Sequence, residues 1–423
     1  MTPGRAGETA ADPADPAVLD RSLRLHRELD ELGAGALLVV ARSANDPDLA
    51  PFIGPIHLGQ AALVLPRAGA ASLAYFTPME RDEAARSGLR TISPEELQLD
   101  RLSRERPRPG AFLAGALRGV LAVSGVTAGR IAIAGHAAAG TLHEALRELG
   151  NEGWRAIDGN EVVRRVTQHK TGAEIDAIET AARGTVAAFR RVAEVLGAAV
   201  SRNGELWFEG ERLRVARLRE EISWTLARHG LSQPEGNIVA AAAEGAVPHN
   251  QGSSERELRA GESLVVDLYP RGALFADCTR TFCVGDAPEA LRDAHAAVLA
   301  ALEAAEAAAA PGVRGFGLQE STCRFLSGRG YATALTHPGT LSGYVHGLGH
   351  GVGYELHEYP SFRKQAGAEG VLGEGDVVTL EPGLYDPAAG WGVRIEDLYL
   401  IEQRGPRSLT LLPRDLDPRR WTV

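Results

Sequence analysis

Short apolar runs alternate with amphipathic stretches in the first part of the chain. Four apolar runs bounded by Gly, Pro or Asp are typical of buried strands, at residues 37–41, 62–65, 72–77 and 130–134. The stretches 78–87 and 141–149 have a helical composition. We therefore expect a small N-terminal α/β domain over residues 17–165, preceded by a flexible tail over residues 1–16.

A different pattern begins at Thr171, where Thr171-Gly-Ala-Glu174 has the spacing of a capping box. From Ile175 to Leu196 apolar residues recur every three or four positions, which predicts a helix with one buried face. A second helix over 210–228 and strand-like segments over 237–284 follow. The same order, two helices followed by strands, then recurs. Helices are expected over 288–308 and 316–327, and strand signals follow over 341–401. We expect a C-terminal domain over residues 166–423 made of two similar halves.

Composition and charge exclude several classes of protein. The chain is 44% hydrophobic and 24% charged, which is typical of a folded protein. The 45 Lys and Arg against 55 Asp and Glu give a net charge of −10, which argues against nucleic acid and membranes as partners. No signal peptide or membrane-spanning run is evident, and the three cysteines lack a CxxC spacing, so we expect a cytoplasmic location. Neither of the two lysines, Lys170 and Lys364, follows Gly, which excludes a phosphate-binding GxxxxGK loop.

Two aspartates lie on strand-like segments joined by a turn expected at Arg271-Gly272. Asp267 follows Leu264-Val-Val, and Asp277 precedes Cys-Thr-Arg-Thr. In a simple hairpin the two carboxylates lie opposite each other and repel unless a cation neutralises them. The alternative is that one Asp faces water and the other caps a turn.

A second pair of carboxylates and a run of histidines follow. Glu381 comes after Val-Val-Thr-Leu and Glu396 after Val-Arg-Ile, where an unpaired buried carboxylate is costly, although Glu396 at the surface is an alternative. The run His346-Gly-Leu-Gly-His350-Gly-Val-Gly-Tyr-Glu-Leu-His357 has glycines that remove bulk where a ligand or another backbone comes close. Carboxylates with neutral imidazole suit Mn, Co or Zn, and the majority of oxygen ligands favours Mn.

Together these motifs resemble the Xaa-Pro peptidase family, which includes aminopeptidase P, prolidase and creatinase. The resemblance rests on the two aspartates, the histidine run, Leu-Glu381-Pro-Gly and Arg394-Ile-Glu396-Asp, and it extends from about residue 166. It implies an α+β chain whose catalytic domain has the pita-bread fold, a curved antiparallel sheet covered by helices in two pseudo-symmetric halves. The N-terminal part resembles the smaller α/β domain of that family only loosely.

The resemblance implies a site for two divalent metal ions. Asp267 would bind one ion, His350 and Glu381 the other, and Asp277 and Glu396 both. Four carboxylates contribute −4 and two divalent ions +4, so the charges balance. Mn is the expected metal, with Co or Zn as alternatives.

The resemblance also implies roles in catalysis and substrate binding for the remaining residues. Glu381 would shuttle a proton to the leaving nitrogen, and His357 would contact the carbonyl of the scissile bond. His346 would share in catalysis, and His249 and His346, with His357, would bind substrate. Arg394 would orient the carboxylates without touching the substrate.

The function implied is that of a di-metal hydrolase that removes the N-terminal residue before proline through a metal-bridging hydroxide. It would act on small peptides, as an aminopeptidase or as a dipeptidase, and as a homodimer. The alternatives are a hydrolase of a small non-peptide amide on the same metal site and a catalytically silent binding protein. Tyr269 stands where the family usually has Gly, and Tyr354 where an aliphatic residue is common, which leaves the substrate preference open.

Overall fold

The computed structural model describes residues 16–421, and the chain divides into two compact units between Thr167 and Gln168. The tail expected over residues 1–16 lies outside the described residues, except for Pro16, which is the first residue of a helix. No helix in the described part of the chain combines the length and the hydropathy needed to cross a lipid bilayer.

The first unit contains a six-stranded mixed sheet flanked by helices. Its helices are α1 Pro16–Leu32, α2 Ala50–Ile53, α3 Arg81–Ala85, α4 Leu99–Glu105, α5 Pro109–Val123, α6 Ala139–Gly150 and α7 Asn160–Thr167. Its strands are β1 Ala36–Ala41, β2 Ala61–Pro66, β3 Ser72–Tyr75, β4 Arg90–Ile92, β5 Arg130–Ala134 and β6 Arg155–Asp158. They pair in the order β4-β3-β2-β1-β5-β6.

The strand β1 shows why this sheet is buried on both faces. Its residues alternate, so that Leu37 and Val39 pack with α1 and α7, while Leu38 and Val40 pack with α5 and α6. A strand covered on both faces is apolar throughout, as the sequence of β1 is. The first unit is therefore an α/β sandwich, as the alternation of apolar runs and helical stretches predicts.

The second unit combines four helices with several antiparallel sheets. The helices are α8 Gly172–Ala198, α9 Val215–Arg228, α10 Glu289–Ala308 and α11 Gly315–Ser327. The strands are β7 Val200–Arg202, β8 Glu205–Phe208, β9 Glu211–Arg212, β10 Ile238–Ala241, β11 Leu264–Leu268, β12 Cys278–Phe282, β13 His350–Gly351, β14 Glu358–Ser361, β15 Val377–Leu380, β16 Gly383–Asp386, β17 Trp391–Arg394, β18 Asp397–Glu402 and β19 Gly405–Ser408. The main sheets have the orders β10-β11-β12 and β14-β13-β15-β18-β19.

The two helix pairs of this unit belong to two hydrophobic cores. One core contains residues of α8, α9 and β10 to β12, and the other contains residues of α10 and α11. The strand β18 contributes to both cores because its side chains alternate: Leu398 and Leu400 belong to the first core, Tyr399 and Ile401 to the second. The helix, helix, strand order thus occurs twice, with central strands covered on both faces.

Local signals locate most of these helices well. The capping box is present, since Thr171 Oγ1 accepts a hydrogen bond from the Glu174 amide and the Glu174 carboxylate accepts one from the Thr171 amide. The helix expected over 210–228 begins instead at Val215, because residues 211–212 pair with β8 as strand β9.

The simple hairpin expected for Asp267 and Asp277 is wrong in its register. Asp267 pairs with Thr279, two residues beyond Asp277, and the connection between the strands is an irregular loop. In that loop the Ala276 amide donates to Pro270 O and Gly272 N donates to Leu274 O. Because side chains alternate along a strand, Asp277 still lies on the side of Asp267 and Thr279 rather than directly opposite Asp267.

Candidate metal centre

Four carboxylates lie at or near strand ends of the second unit and face one another. Asp267 is in β11, Asp277 immediately precedes β12, Glu381 immediately follows β15, and Glu396 immediately precedes β18. The Glu396 amide donates a hydrogen bond to Thr279 O, which joins the start of β18 to β12. A backbone hydrogen bond therefore joins the sheet β10-β11-β12 to the sheet that contains β15 and β18, beside the four carboxylates.

The distances bring Asp277, His350 and Glu396 around one point. One ligand atom from each of these three residues lies within 4.8 Å of the others. His350 Nε2 is 3.6 Å from Asp277 Oδ2 and 3.6 Å from Glu381 Oε1. Three of the five predicted ligands thus lie within reach of a shared cation, and Glu381 adjoins one of them, His350. Asp267 is outside this group of three.

The polar atoms of the cluster fit divalent cations. Asp267 Oδ1, Asp277 Oδ1 and Glu396 Oε1 are buried and have no hydrogen-bond partner among the described residues. Buried carboxylate oxygens without a partner are costly in a folded protein, and a hard cation supplies the missing contact. The donor set of four carboxylates and one imidazole is suited to Mn, Co or Zn.

Burial, and to a lesser extent repulsion between the carboxylates, raises the pKa values of the cluster in the metal-free protein. Burial and the neighbouring charges of Glu396 and Asp267 raise the pKa of Asp277 well above its usual range. Burial raises the pKa of Glu381 to about 8, although Arg394 acts in the opposite direction. Burial and Glu381 likewise raise the pKa of Glu396. Cations at this position would relieve the repulsion.

The glycines of the histidine run allow backbones to approach closely. A Cβ at Gly349 would lie 2.0 Å from Thr379 O, and one at Gly351 would lie 2.0 Å from Tyr359 O. Both contacts are too short for any other residue. These glycines let the strand of His350 fit between its neighbours β14 and β15. Another backbone, and not a ligand, accounts for both positions.

Arg394 and Tyr385 connect the carboxylates to His346. Arg394 Nη2 donates to Asp267 Oδ2 at 2.7 Å, Arg394 Nε donates to Thr279 Oγ1 at 3.1 Å, and Arg394 Nη1 donates to the Tyr385 hydroxyl at 2.7 Å. The same hydroxyl lies 2.9 Å from His346 Nε2. Arg394 is buried and contacts a carboxylate of the cluster, which is the position expected of a residue that orients the carboxylates.

The other histidines lie at different distances from the cluster. His346 Nδ1 is 3.9 Å from Glu381 Oε2, and the rings of His350 and His357 are 4.2 Å apart. His249 is exposed, whereas burial lowers the pKa of His357. Burial lowers the pKa of His346 and of His350 to about 3, so both imidazoles are neutral at pH 7.

Sequence reasoning missed Tyr385 and gave no role to Thr279. Thr279 Oγ1 donates to Glu396 Oε2 at 2.7 Å, and the Tyr385 hydroxyl joins Arg394 to His346. Strand pairing places Gly383 opposite Arg394, and Tyr385, two residues from Gly383, lies on the same face as both. Residues 387–390 connect β16 to β17. Pairing these two segments as a hairpin in the sequence would have placed Tyr385 on the same face as Arg394.

Comparison with known proteins identifies related sequences. Residues 176–403 match the model of the family described as metallopeptidase family M24. The Xaa-Pro dipeptidase of Pyrococcus furiosus is 34% identical over 282 residues, which are 65% of this chain and 72% of that protein. The probable dipeptidase PepE of Mycobacterium tuberculosis is 31% identical over 259 residues, 60% of this chain and 62% of that protein.

Solved structures share the fold. The prolidase from Pyrococcus horikoshii matches with a TM-score of 0.72 and 22% identity, covering 94% of this chain and 99% of that chain. A variant of Escherichia coli aminopeptidase P matches with a TM-score of 0.68 and 21% identity, covering 95% of this chain and 96% of that chain. These similarities confirm the expected α+β pita-bread fold. Since the family model also matches more than half of the sequence, the chain belongs to metallopeptidase family M24 and is a metal-dependent peptidase.

Proposed function

We propose that this metallopeptidase hydrolyses the peptide bond before proline and releases the N-terminal residue of small peptides. The observation that carries the proposal is the convergence of Asp277, His350 and Glu396 around one point, with His346 and His357 beside them. Relatives named Xaa-Pro dipeptidase, from two Pyrococcus species, support the choice of proline.

In this proposal five residues hold two divalent cations, with Mn as the expected metal: Asp267, Asp277, His350, Glu381 and Glu396. The orphaned oxygens of three of these carboxylates support the assignment. When bound, the cations supply Lewis acidity that lowers the pKa of water and polarises a carbonyl group.

Glu381 is the proposed proton carrier. Its carboxylate borders both His350 and His346, at 3.6 and 3.9 Å, so it adjoins the proposed ligands and the proposed substrate side. In the proposed reaction one oxygen of Glu381 accepts a proton from the attacking water and donates it to the proline nitrogen. That nitrogen then leaves as a secondary amine.

His357 is the proposed hydrogen-bond donor to the carbonyl oxygen. Burial lowers its pKa, so the imidazole remains neutral at pH 7 and has one N–H to donate. A donor fixed in place before the reaction stabilises the negative charge that develops on the oxygen.

His346 and His249 are the proposed contacts of the proline residue. The proline nitrogen is tertiary in the peptide and offers no N–H, so the site needs no acceptor for one. The Tyr385 hydroxyl lies 2.9 Å from His346 Nε2, which supports a fixed orientation of the His346 ring beside the proline.

We also propose that the protein is a homodimer. Sedimentation velocity would measure its oligomeric state.

The experiment is hydrolysis of Ala-Pro, Ala-Pro-Ala and Ala-Ala-Ala by the Mn-loaded protein, with analysis of the released residues. Faster hydrolysis of the dipeptide indicates a dipeptidase, and of the tripeptide an aminopeptidase. Glu381→Gln serves as the inactive control. Failure on both proline peptides, with metal bound and the fold intact, refutes the proposal and favours a non-peptide amide as substrate.

A further inference from the structure

The segment of residues 168–174, which we term the brace, is largely buried at the start of the second unit. Gln168, Lys170, Thr171 and Glu174 are at most 7% exposed. Burying a charged side chain is costly unless it is paired, so the partners of Lys170 and Glu174 need an explanation.

One side of the brace holds the start of the strand that leads to Glu381. The Lys170 amide donates to Gly375 O at 2.9 Å, and Gln168 Nε2 donates to Asp376 Oδ2 at 3.0 Å. His169 Nδ1 forms a hydrogen bond with the other oxygen of the buried Asp376. Strand β15 begins at the next residue, Val377.

The other side of the brace holds residues 352–358, the His357 loop. Lys170 Nζ lies 2.6 Å from Glu358 Oε1, and Glu358 directly follows His357 in the sequence. Both side chains are buried, at 0% and 6% exposure. Tyr354, three residues before His357, donates its hydroxyl to Glu174 Oε1 at 2.8 Å. The loop is thus held on both sides of His357.

The ion pair also packs directly under the loop backbone. A Cβ at Gly353 would lie 2.5 Å from Glu358 Oε1 and 2.7 Å from Lys170 Cε, so any larger residue there would force the ion pair to shift. Glu358 Oε2 accepts a hydrogen bond from the Glu355 amide at 3.2 Å, which closes the loop on itself. Movement of this pair therefore has to move the loop.

We propose that Lys170 and Glu358 are positioning residues, which set the place of the His357 imidazole relative to Glu381. The brace contacts the strand before Glu381 and both flanks of His357, so it fixes the separation of the two groups. Hydrogen bonding to a reacting carbonyl is sensitive to displacements of about 1 Å. This proposal rests on the proposed function for its kinetic readout.

The test uses the double variant Lys170→Met/Glu358→Gln, which leaves no buried charge without a partner. We expect metal content and KM close to those of the wild type and a kcat lower by about tenfold to a hundredfold. Lys364→Met, at the exposed second lysine, is the matched control and should equal the wild type. A wild-type kcat in the double variant, or a loss of metal that parallels the loss of kcat, would overturn the proposal.

The decisive comparison repeats the double variant in a His357→Ala background. If the ion pair acts through His357, it should cause no further loss of kcat there. If the reductions in kcat caused by the double variant and by His357→Ala instead multiply in the combined variant, the ion pair does not act through His357. Should the double variant fail to fold, Tyr354→Phe, which removes one hydroxyl, replaces it in the same cycle.

A separate readout distinguishes failure of this proposal from failure of the proposed function. If the wild type hydrolyses none of the peptides, the proposed function fails, but the NMR signal of the His357 imidazole still reports its position. That signal, assigned by its loss in His357→Ala, should shift in the double variant and remain unchanged in Lys364→Met. An unchanged signal in the double variant would overturn the positioning role.

Discussion

Replacing Glu381 by glutamine should make the metal-free protein more stable at high pH, although it removes a proposed catalytic group. In the folded metal-free protein, burial raises the pKa of Glu381 from 4.5 to about 8. The folded state therefore binds the proton more tightly than the unfolded state. The stability this confers is complete below about pH 4.5 and is lost as pH rises through about 8.

The magnitude follows from these two pKa values. Between pH 5 and pH 9 the proton linkage of one such group amounts to about 4 kcal/mol, of which roughly 1 kcal/mol falls between pH 7 and pH 9. For a unit of this size, about 4 kcal/mol corresponds to a change in Tm of about 8–16 °C. Burial lowers the pKa of His346 and His350, which destabilises the protein below pH 6.5. That effect is common to both proteins and cancels in their difference.

The assay is differential scanning calorimetry of chelator-treated wild type and Glu381→Gln from pH 5 to pH 9. The difference in Tm, variant minus wild type, should grow by about 8–16 °C from pH 5 to pH 9. Glu374→Gln, at an exposed residue shortly before β15, is the matched control and should show no growing difference. A constant difference between wild type and Glu381→Gln across this range would refute the reasoning.

Three further outcomes are expected. Elemental analysis should find about two divalent metals per chain, with activity lost to a chelator and restored best by Mn; saturation below one equivalent would exclude the di-metal site. His350→Ala should weaken metal binding, whereas His357→Ala should keep the metal and lower kcat by about 10²-fold; equal metal loss in both would contradict this division. Tyr385→Phe leaves Arg394 and His346 each without one partner, so we expect kcat to fall by about tenfold with KM little changed; steady-state kinetics equal to the wild type would refute the role.

The sequence alone determined features that depend on neighbouring residues in the chain. The capping box of Thr171 and Glu174 is predictable because its two hydrogen bonds span three residues. Four strands of the first unit, β1, β2, β3 and β5, are predictable because strands covered on both faces require an apolar run. The edge strands β4 and β6 are short and partly exposed, and the sequence pattern did not predict them. The order of the acidic and histidine motifs was enough for the resemblance that the family comparison confirms.

Tertiary structure decided which distant residues meet. The irregular loop after β11 shifts the pairing so that Asp267 faces Thr279, and turn residues alone do not specify such a loop. Tyr385 contacts Arg394 and His346 only because β16 and β17 fold back beside the histidine run. Lys170 meets Glu358 across a large part of the sequence, and no local periodicity encodes that contact, since it depends on how the brace packs against the His357 loop.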